Sequence, residues 1–230
     1  MCGAGAHFDA GYHRPHRGTR PTVASVETLE RYLSALASTE PTPGGGSAAT
    51  LVGAMGSALV AMVARICAEN PKYADQRELA TRLVSAADRL RQELIAARDR
   101  DEKAFARVMA AQGLPKETPA EKESRAKALE AALKEAAEAP LHACELAIDV
   151  LRLAAQALQI PNKNLVSDLG CAAEFGFAAL AASGYNVRVN HRYMKDAKVI
   201  ESQAKLLARY ENEATALLSR LRHDVNDVLR

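Results

Sequence analysis

One carboxylate stands where an apolar residue belongs. Counted in helical steps of three and four, Leu83, Ala87, Leu90, Leu94, Ala97, Asp101, Ala104, Phe105 and Val108 fall on one face of a long helix. Asp101 interrupts that seam, whereas Asp99 falls on roughly the opposite side and reads as a surface charge. Taking a carboxylate out of water is costly unless it is paired, and burial raises its proton affinity toward the range useful for proton transfer. Two roles are open to Asp101 on this ground: acid–base chemistry, or an ion pair with an arginine from a neighbouring helix.

Two further polar clusters stand out. Asn162-Lys163-Asn164 is followed closely by Ser167-Asp168. An aspartate just after a serine cap also fits a plain helix-dipole role. Asn186, Arg188 and Asn190 follow an alanine-rich stretch. Asn186 and Asn190 share a face if the helix continues through them, and both are poor helix formers, which points to a hydrogen-bonding duty.

Backbone can contribute chemistry too. In Pro41-Thr42-Pro43-Gly44-Gly45-Gly46-Ser47 the prolines fix their φ angles, and the glycines leave the chain bare to close approach. Ser47 is read as the N-cap of the following helix. Such a loop gathers free N–H groups at a helix start, a seat for an anion or a carbonyl oxygen. It lacks the lysine of a phosphate-binding loop, and no strand precedes it. No GxSxG, HExxH or Cys–His pairing occurs, and His142, His191 and His223 stand alone.

Composition narrows the partners. The chain has 230 residues, a formal net charge of +2 and 4% aromatic residues. That gives neither a basic footprint nor a stacking platform for nucleic acid. The length fits one domain with a large core. Cys2, Cys67, Cys144 and Cys171 show no CxxC pair and no metal-ligand spacing. The last three read as small core residues of a reducing, cytoplasmic protein. The N-terminus has no apolar secretory stretch. Residues 1–21, with four glycines and His7, His13 and His16, read as a mobile tail. His13-Arg14-Pro15-His16 makes a poor metal site, because a proline parts the ligands and no acid accompanies them. No metal is expected.

Helices must hold these groups. Ser47 to Ala64 carries no charge, and small residues recur at Ala49, Gly53, Gly56 and at Ala54, Ala58, Ala61. Glycine costs about 1 kcal/mol in a helix interior relative to alanine, so Gly53 and Gly56 require close approach of neighbouring helices on more than one side. A membrane span is set aside, because the run is read as shorter than the roughly 20 strongly apolar residues needed. The core helix is therefore placed from Ser47 to Ile66.

A short amphipathic helix capped by Ser25 precedes it, with Val26, Leu29, Leu33 and Leu36 on one face. Asn70-Pro71-Lys72-Tyr73 breaks the chain before a helix from about Ala74 to Gln112, stopped by Gly113. Thr118, Pro119 and Glu121 form a capping box that opens a charged helix to Ala137. Pro140 opens or kinks the next, through about Leu158. After a loop from Gln159 to Asn164, Ser167 caps a helix from Asp168 to Ser183, which stops at Gly184 or bends there towards Asn190. The last helix covers about Lys195 to Leu229, burying Ile200, Leu206, Leu207, Leu217, Leu218 and Leu221. No strand is expected. The fold over residues 22–230 is all-α, an antiparallel bundle of about six to eight helices.

Taken together, the motifs resemble one family. They are Pro41 to Ser47 before a small-residue helix, Asp101-Glu102-Lys103-Ala104-Phe105, Gly113-Leu114-Pro115-Lys116 through Glu121-Lys122, Ala139-Pro140-Leu141, Ser167-Asp168, and Asn186-Val187-Arg188-Val189-Asn190. From about residue 25 to the C-terminus the chain resembles the cyclodeaminase/cyclohydrolase family of tetrahydrofolate enzymes. That family includes the C-terminal half of formiminotransferase-cyclodeaminase and free-standing methenyltetrahydrofolate cyclohydrolases. The resemblance implies an all-α homodimer with a folate groove near the subunit interface, and it gives Asp101 the catalytic role. Candidate substrate contacts are then Pro43, Gly44, Gly45, Gly46, Ser47, Asn164, Asp168, Asn186 and Asn190. Arg98, Asp99 and Arg100 depart from the acidic or small residues common before the motif, which alters the electrostatics around Asp101.

The implied reaction is hydrolysis of 5,10-methenyltetrahydrofolate to 10-formyltetrahydrofolate, with no cofactor beyond the folate and no nucleic-acid or membrane partner. The alternative is cyclisation of 5-formiminotetrahydrofolate with release of ammonia. Hydrolysis is preferred because the sequence carries no formiminotransferase domain to hand over a formimino group. A catalytically silent folate-binding protein is the third reading, and Asp101 with the glycine loop weighs against it.

Overall fold

Two glycines decide how the helices stack. In the computed structural model, which describes residues 28–230, the described residues form six α-helices and no strand. They are α1 (Leu29–Leu36), α2 (Gly45–Glu69), α3 (Arg77–Gln112), α4 (Pro119–Ala157), α5 (Val166–His191) and α6 (Ala197–Leu229). Short connections join long neighbours, so α2 to α6 alternate in direction. α2 lies between α3 and α5 and touches α4, while α6 covers α4 and α5. A Cβ on Gly53 would stand 3.1 Å from Leu94 of α3 and 3.3 Å from Ala179 of α5. On Gly56 it would stand 3.0 Å from Val150 of α4 and from the Ala172 carbonyl of α5. Neighbours press on α2 from more than one side, as its composition required. Buried Ser57 adds a hydrogen bond to the Ala87 carbonyl of α3 at 2.8 Å.

Several boundaries differ from the sequence reading. Thr28 caps α1, accepting from the Arg31 amide at 3.2 Å; the tail, Cys2 and the expected Ser25 cap lie outside the described residues. α2 starts at Gly45 with Gly44 as its N-cap, so Ser47 is not a cap but a fully buried residue of the first turn. Likewise α5 starts at Val166, which puts Ser167 inside the helix, and it runs unbroken through Gly184 to His191. The Thr118–Glu121 capping box forms as expected. Pro140, however, lies within a continuous 39-residue α4. Proline has no N–H, so the Ala136 carbonyl lacks its usual intrahelical partner. Asn190 of α5 supplies one, donating from Nδ2 at 2.7 Å.

Cys67 and Cys144 are buried as expected, but Cys171 is exposed. On α6 the buried seam contains Leu207, Leu218 and Leu221, while Leu206 points outward. The length argument against a membrane span also falls. α2 and the stretch Lys163–His191 are each long and apolar enough to cross a membrane by length and composition, although half of α2's most apolar stretch is buried in the bundle. One stripe of α2 stays open, running through Leu51, Met55, Ala58, Met62 and Ile66; Met55 is 50% exposed and Ile66 42%.

Candidate active site

Antiparallel packing brings the C-terminal half of α3 against the first turn of α2. There Asp101 meets Gly46 so closely that a Cβ on the glycine would lie 2.4 Å from Oδ2 and 2.5 Å from Oδ1. The Ser47 amide, one of the N–H groups left without a helical partner at a helix start, lies close enough to the Asp101 carboxylate to favour its charged form. Burial, reinforced by the charge of neighbouring Glu102, pushes Asp101 from 3.8 up to about 6, against the opposing pull of the Ser47 amide. No lysine or arginine among the described residues figures in that balance. Among the described residues, the arginine ion pair left open by the sequence does not form.

The Ser47 hydroxyl works separately from its amide. It donates to Glu102 Oε1 at 2.8 Å and meets the Tyr32 hydroxyl at 3.0 Å. Arg98 lies over the Tyr32 ring, 5.7 Å from its centre.

A cavity of about 320 Å³ opens in front of Asp101, a size suited to a small molecule. Pro41, Thr42, Gly44, Gly45 and Gly46 form one wall. Asp101, Phe105, Val108 and Gln112 of α3 form the second, with Leu133 and Ala136 of α4 beside them. Asn186, Val189, Asn190 and Tyr193 complete it. Among the described residues, Asp101 is the one charged residue in this lining. Asn190 donates to the carbonyls of Ala136 and Asn186 at 2.7 and 2.8 Å, which commits both amide hydrogens and leaves Oδ1 for a ligand. Asn186 donates back to the Ala182 carbonyl at 2.9 Å.

Of the residues that the resemblance grouped as a site, Gly44, Gly45, Gly46, Asp101, Asn186 and Asn190 meet at one cavity. Pro43, joined to Thr42 by a cis peptide bond, and Ser47, behind Asp101, do not line it. Asn164 and Asp168 are not brought there within one chain. They belong to the opposite end of α5, Asp168 being about 27 Å from Asn186 at 1.5 Å per residue. Thr42, Gln112, Val189 and Tyr193 were missed. Phe105, read as core, is 38% exposed at the cavity. It lies one turn from Asp101 and shares its face, while Ala104 and Val108 make the buried contact with α4. A separate hollow of about 400 Å³, ringed by Arg100, Lys103, Arg107, Glu135, Glu138 and His142, contains none of the residues singled out in the sequence as a site.

The sequence profile of formiminotransferase-cyclodeaminase matches residues 28–209, a span that contains every residue lining the cavity. The chain belongs to the formiminotransferase-cyclodeaminase family. Within that family it is 38% identical over 199 residues to methenyltetrahydrofolate cyclohydrolase of Methylorubrum extorquens, covering 86% of this chain and 96% of the relative. It is 30% identical over 192 residues to formimidoyltransferase-cyclodeaminase of Gallus gallus, covering 82% of this chain but 35% of that longer protein. A crystal structure of formiminotetrahydrofolate cyclodeaminase from Thermotoga maritima matches with a TM-score of 0.79 at 28% identity, covering 88% of this chain and 98% of that one.

Proposed function

We propose that the protein is an enzyme that hydrolyses 5,10-methenyltetrahydrofolate to 10-formyltetrahydrofolate, with Asp101 as its acid–base group. The observation that carries this reading is the Asp101 carboxylate, high in proton affinity and the one charge among the described lining residues, at the wall of a cavity sized for a small molecule. The near full-length match to a cyclohydrolase supports the choice of substrate.

The bridging carbon of the substrate is a cationic, amidinium-like centre. A carboxylate beside it stabilises that charge and takes a proton from the attacking water as the C–O bond forms. Asp101 then returns the proton to N5 as the C–N5 bond breaks. The remaining hydroxyl proton leaves to solvent as the formyl C=O forms, so a cation and water give a neutral product and one proton. Water and the folate are the only small molecules this sequence uses. Phe105 and Tyr193 offer rings for the flat pterin, and Asn190 Oδ1 accepts from one of its N–H groups.

The reading includes a cytoplasmic homodimer. A helix apolar around its whole circumference has to be covered on every side, and the open stripe from Leu51 to Ile66 is covered by the same stripe of a second copy. Buried Ser47, Thr50 and Ser57 on α2 favour a protein partner over lipid.

The cyclodeaminase structure keeps ammonia release from 5-formiminotetrahydrofolate as the second reading, since both reactions pass through a tetrahedral carbon at the same place. Loss of methenyltetrahydrofolate absorbance, measured beside an ammonia-release assay, separates the two. Faster ammonia release would overturn the first.

A further inference from the structure

Glu102 has an unusual position for a helix residue. Neighbours one apart on a helix do not face each other, so adjacency alone would send Glu102 away from Asp101 and into solvent. Instead Ser47 reaches across from α2 and donates its hydroxyl to Glu102 Oε1 at 2.8 Å. A serine hydroxyl has one hydrogen, and with that hydrogen committed, Tyr32 must be the donor in its 3.0 Å contact with Ser47 Oγ. The result is a directed chain, Tyr32 to Ser47 to Glu102, ending on a carboxylate. Tyr32 is 5% exposed and Ser47 fully buried, so the relay is shielded from water up to its partly buried end at Glu102. Asp101 packs against Gly46, the residue just before this serine. Consecutive residues of α2 thus meet the two adjacent carboxylates of α3.

We propose that Glu102 is a positioning residue, whose carboxylate the Tyr32–Ser47 relay clamps beside Asp101. Held there, its negative charge makes Asp101 the stronger base. This rests on Asp101 being the acid–base group. Few other charges bear on the pair. Arg98 of α3 lies over Tyr32 and also pairs with Asp99 at 3.3 Å. Tyr193 is the other titratable group in the cavity lining, to which α2 gives only glycine and α4 only Leu133 and Ala136. Among the described residues, Glu102 is the one charge that figures beside burial in the proton affinity of Asp101. A proton affinity matched to neutral pH is what a general base needs.

The test compares the pH dependence of kcat/KM for the full-length protein and its E102Q, S47A, E102Q/S47A and D101N variants. Beside it runs a carbon-13 NMR titration of labelled aspartate, with the Asp101 signal assigned by its loss in D101N. In E102Q both the rise of activity with pH and the Asp101 titration are expected to move down by about half a pH unit or more. S47A is expected to move them the same way, and the double variant no further than E102Q, because the serine acts through the glutamate. A merely structural Glu102 would lower the melting temperature and leave both titrations in place. Titrations unmoved in folded E102Q overturn the inference, and additive shifts in the double variant overturn the clamp. Glu102 is half-exposed, so E102Q decides the matter alone if S47A does not fold. A fully active D101N would instead overturn the acid–base reading. An inactive D101N with an unmoved E102Q titration overturns only the role of Glu102.

Discussion

Gly46 and Asp101 occupy one space: a Cβ on the glycine would sit 2.4 Å from Asp101 Oδ2. Gly46→Ala therefore forces the carboxylate out of its seat against α2. Misplacing a reacting group by about 1 Å can cost roughly 100-fold, so kcat/KM is expected to fall about 10–100-fold. Gly45→Ala, whose Cβ would meet only Asn186 Nδ2 at 3.8 Å, is expected to lose less. Equal losses in the two variants, or none in Gly46→Ala, would count against the steric role.

Asp101→Asn keeps the shape and can still lie beside the Ser47 amide. It cannot carry a proton between water and N5. Turnover is expected to drop by roughly 10²–10⁴-fold, with a much smaller change in substrate dissociation constant. Single-turnover kinetics with equilibrium binding on the same preparation checks both halves.

The same substitution has a signed effect on stability. Asp101 titrates near 6 in the folded chain against 3.8 for the ordinary group, so the native state binds this proton more tightly than the unfolded state does. Below about pH 3 both states are protonated and the aspartate carries no penalty. Between 3.8 and about 6 the unfolded chain has lost this proton while the native chain keeps it, so stability falls across that window and levels off above it. Cavity water screens part of that penalty, leaving on the order of 1–2 kcal/mol. Asp101→Asn is therefore expected to melt with wild type near pH 3 and roughly 2–8 °C above it at pH 8. A lower melting temperature for Asp101→Asn at pH 8 would contradict the sign.

For the open stripe on α2, the expected outcome is a change of mass in solution. The wild-type chain should sediment at twice its 24.6 kDa, and Met55→Glu, which plants a charge in the middle of the stripe, should sediment as a monomer. A wild-type monomer across the micromolar range would remove the dimer.

What the sequence disclosed followed the range of the interaction. Gly53 and Gly56 announced close helix packing because the cost of glycine in a helix is local, and the Thr118–Glu121 box is complete within four residues. Asp101 was visible because a single charge broke an apolar period. Ser47 was misread as a cap because Gly44 begins the helix with no side chain at all, so only the fold shows where it starts. Asn164 and Asp168 looked as eligible as Asn186 and Asn190. Which end of α5 faces the glycine loop is set by the direction of packing, and pattern alone does not give that. Pro140 looked like a boundary because the residue that compensates it, Asn190, is 50 positions away.

That last pairing has a consequence for anyone engineering the protein. By helix propensity alone Pro140→Ala is an attractive change, since proline inside a helix is about 3 kcal/mol less favourable than alanine. Yet the restored N–H would compete for the Ala136 carbonyl and leave Asn190 held on the cavity wall only by its own helix, through the Asn186 carbonyl. A screen that rewards heat resistance would favour the substitution, and one that rewards turnover would reject it. The flaw in α4 is the fastener of α5.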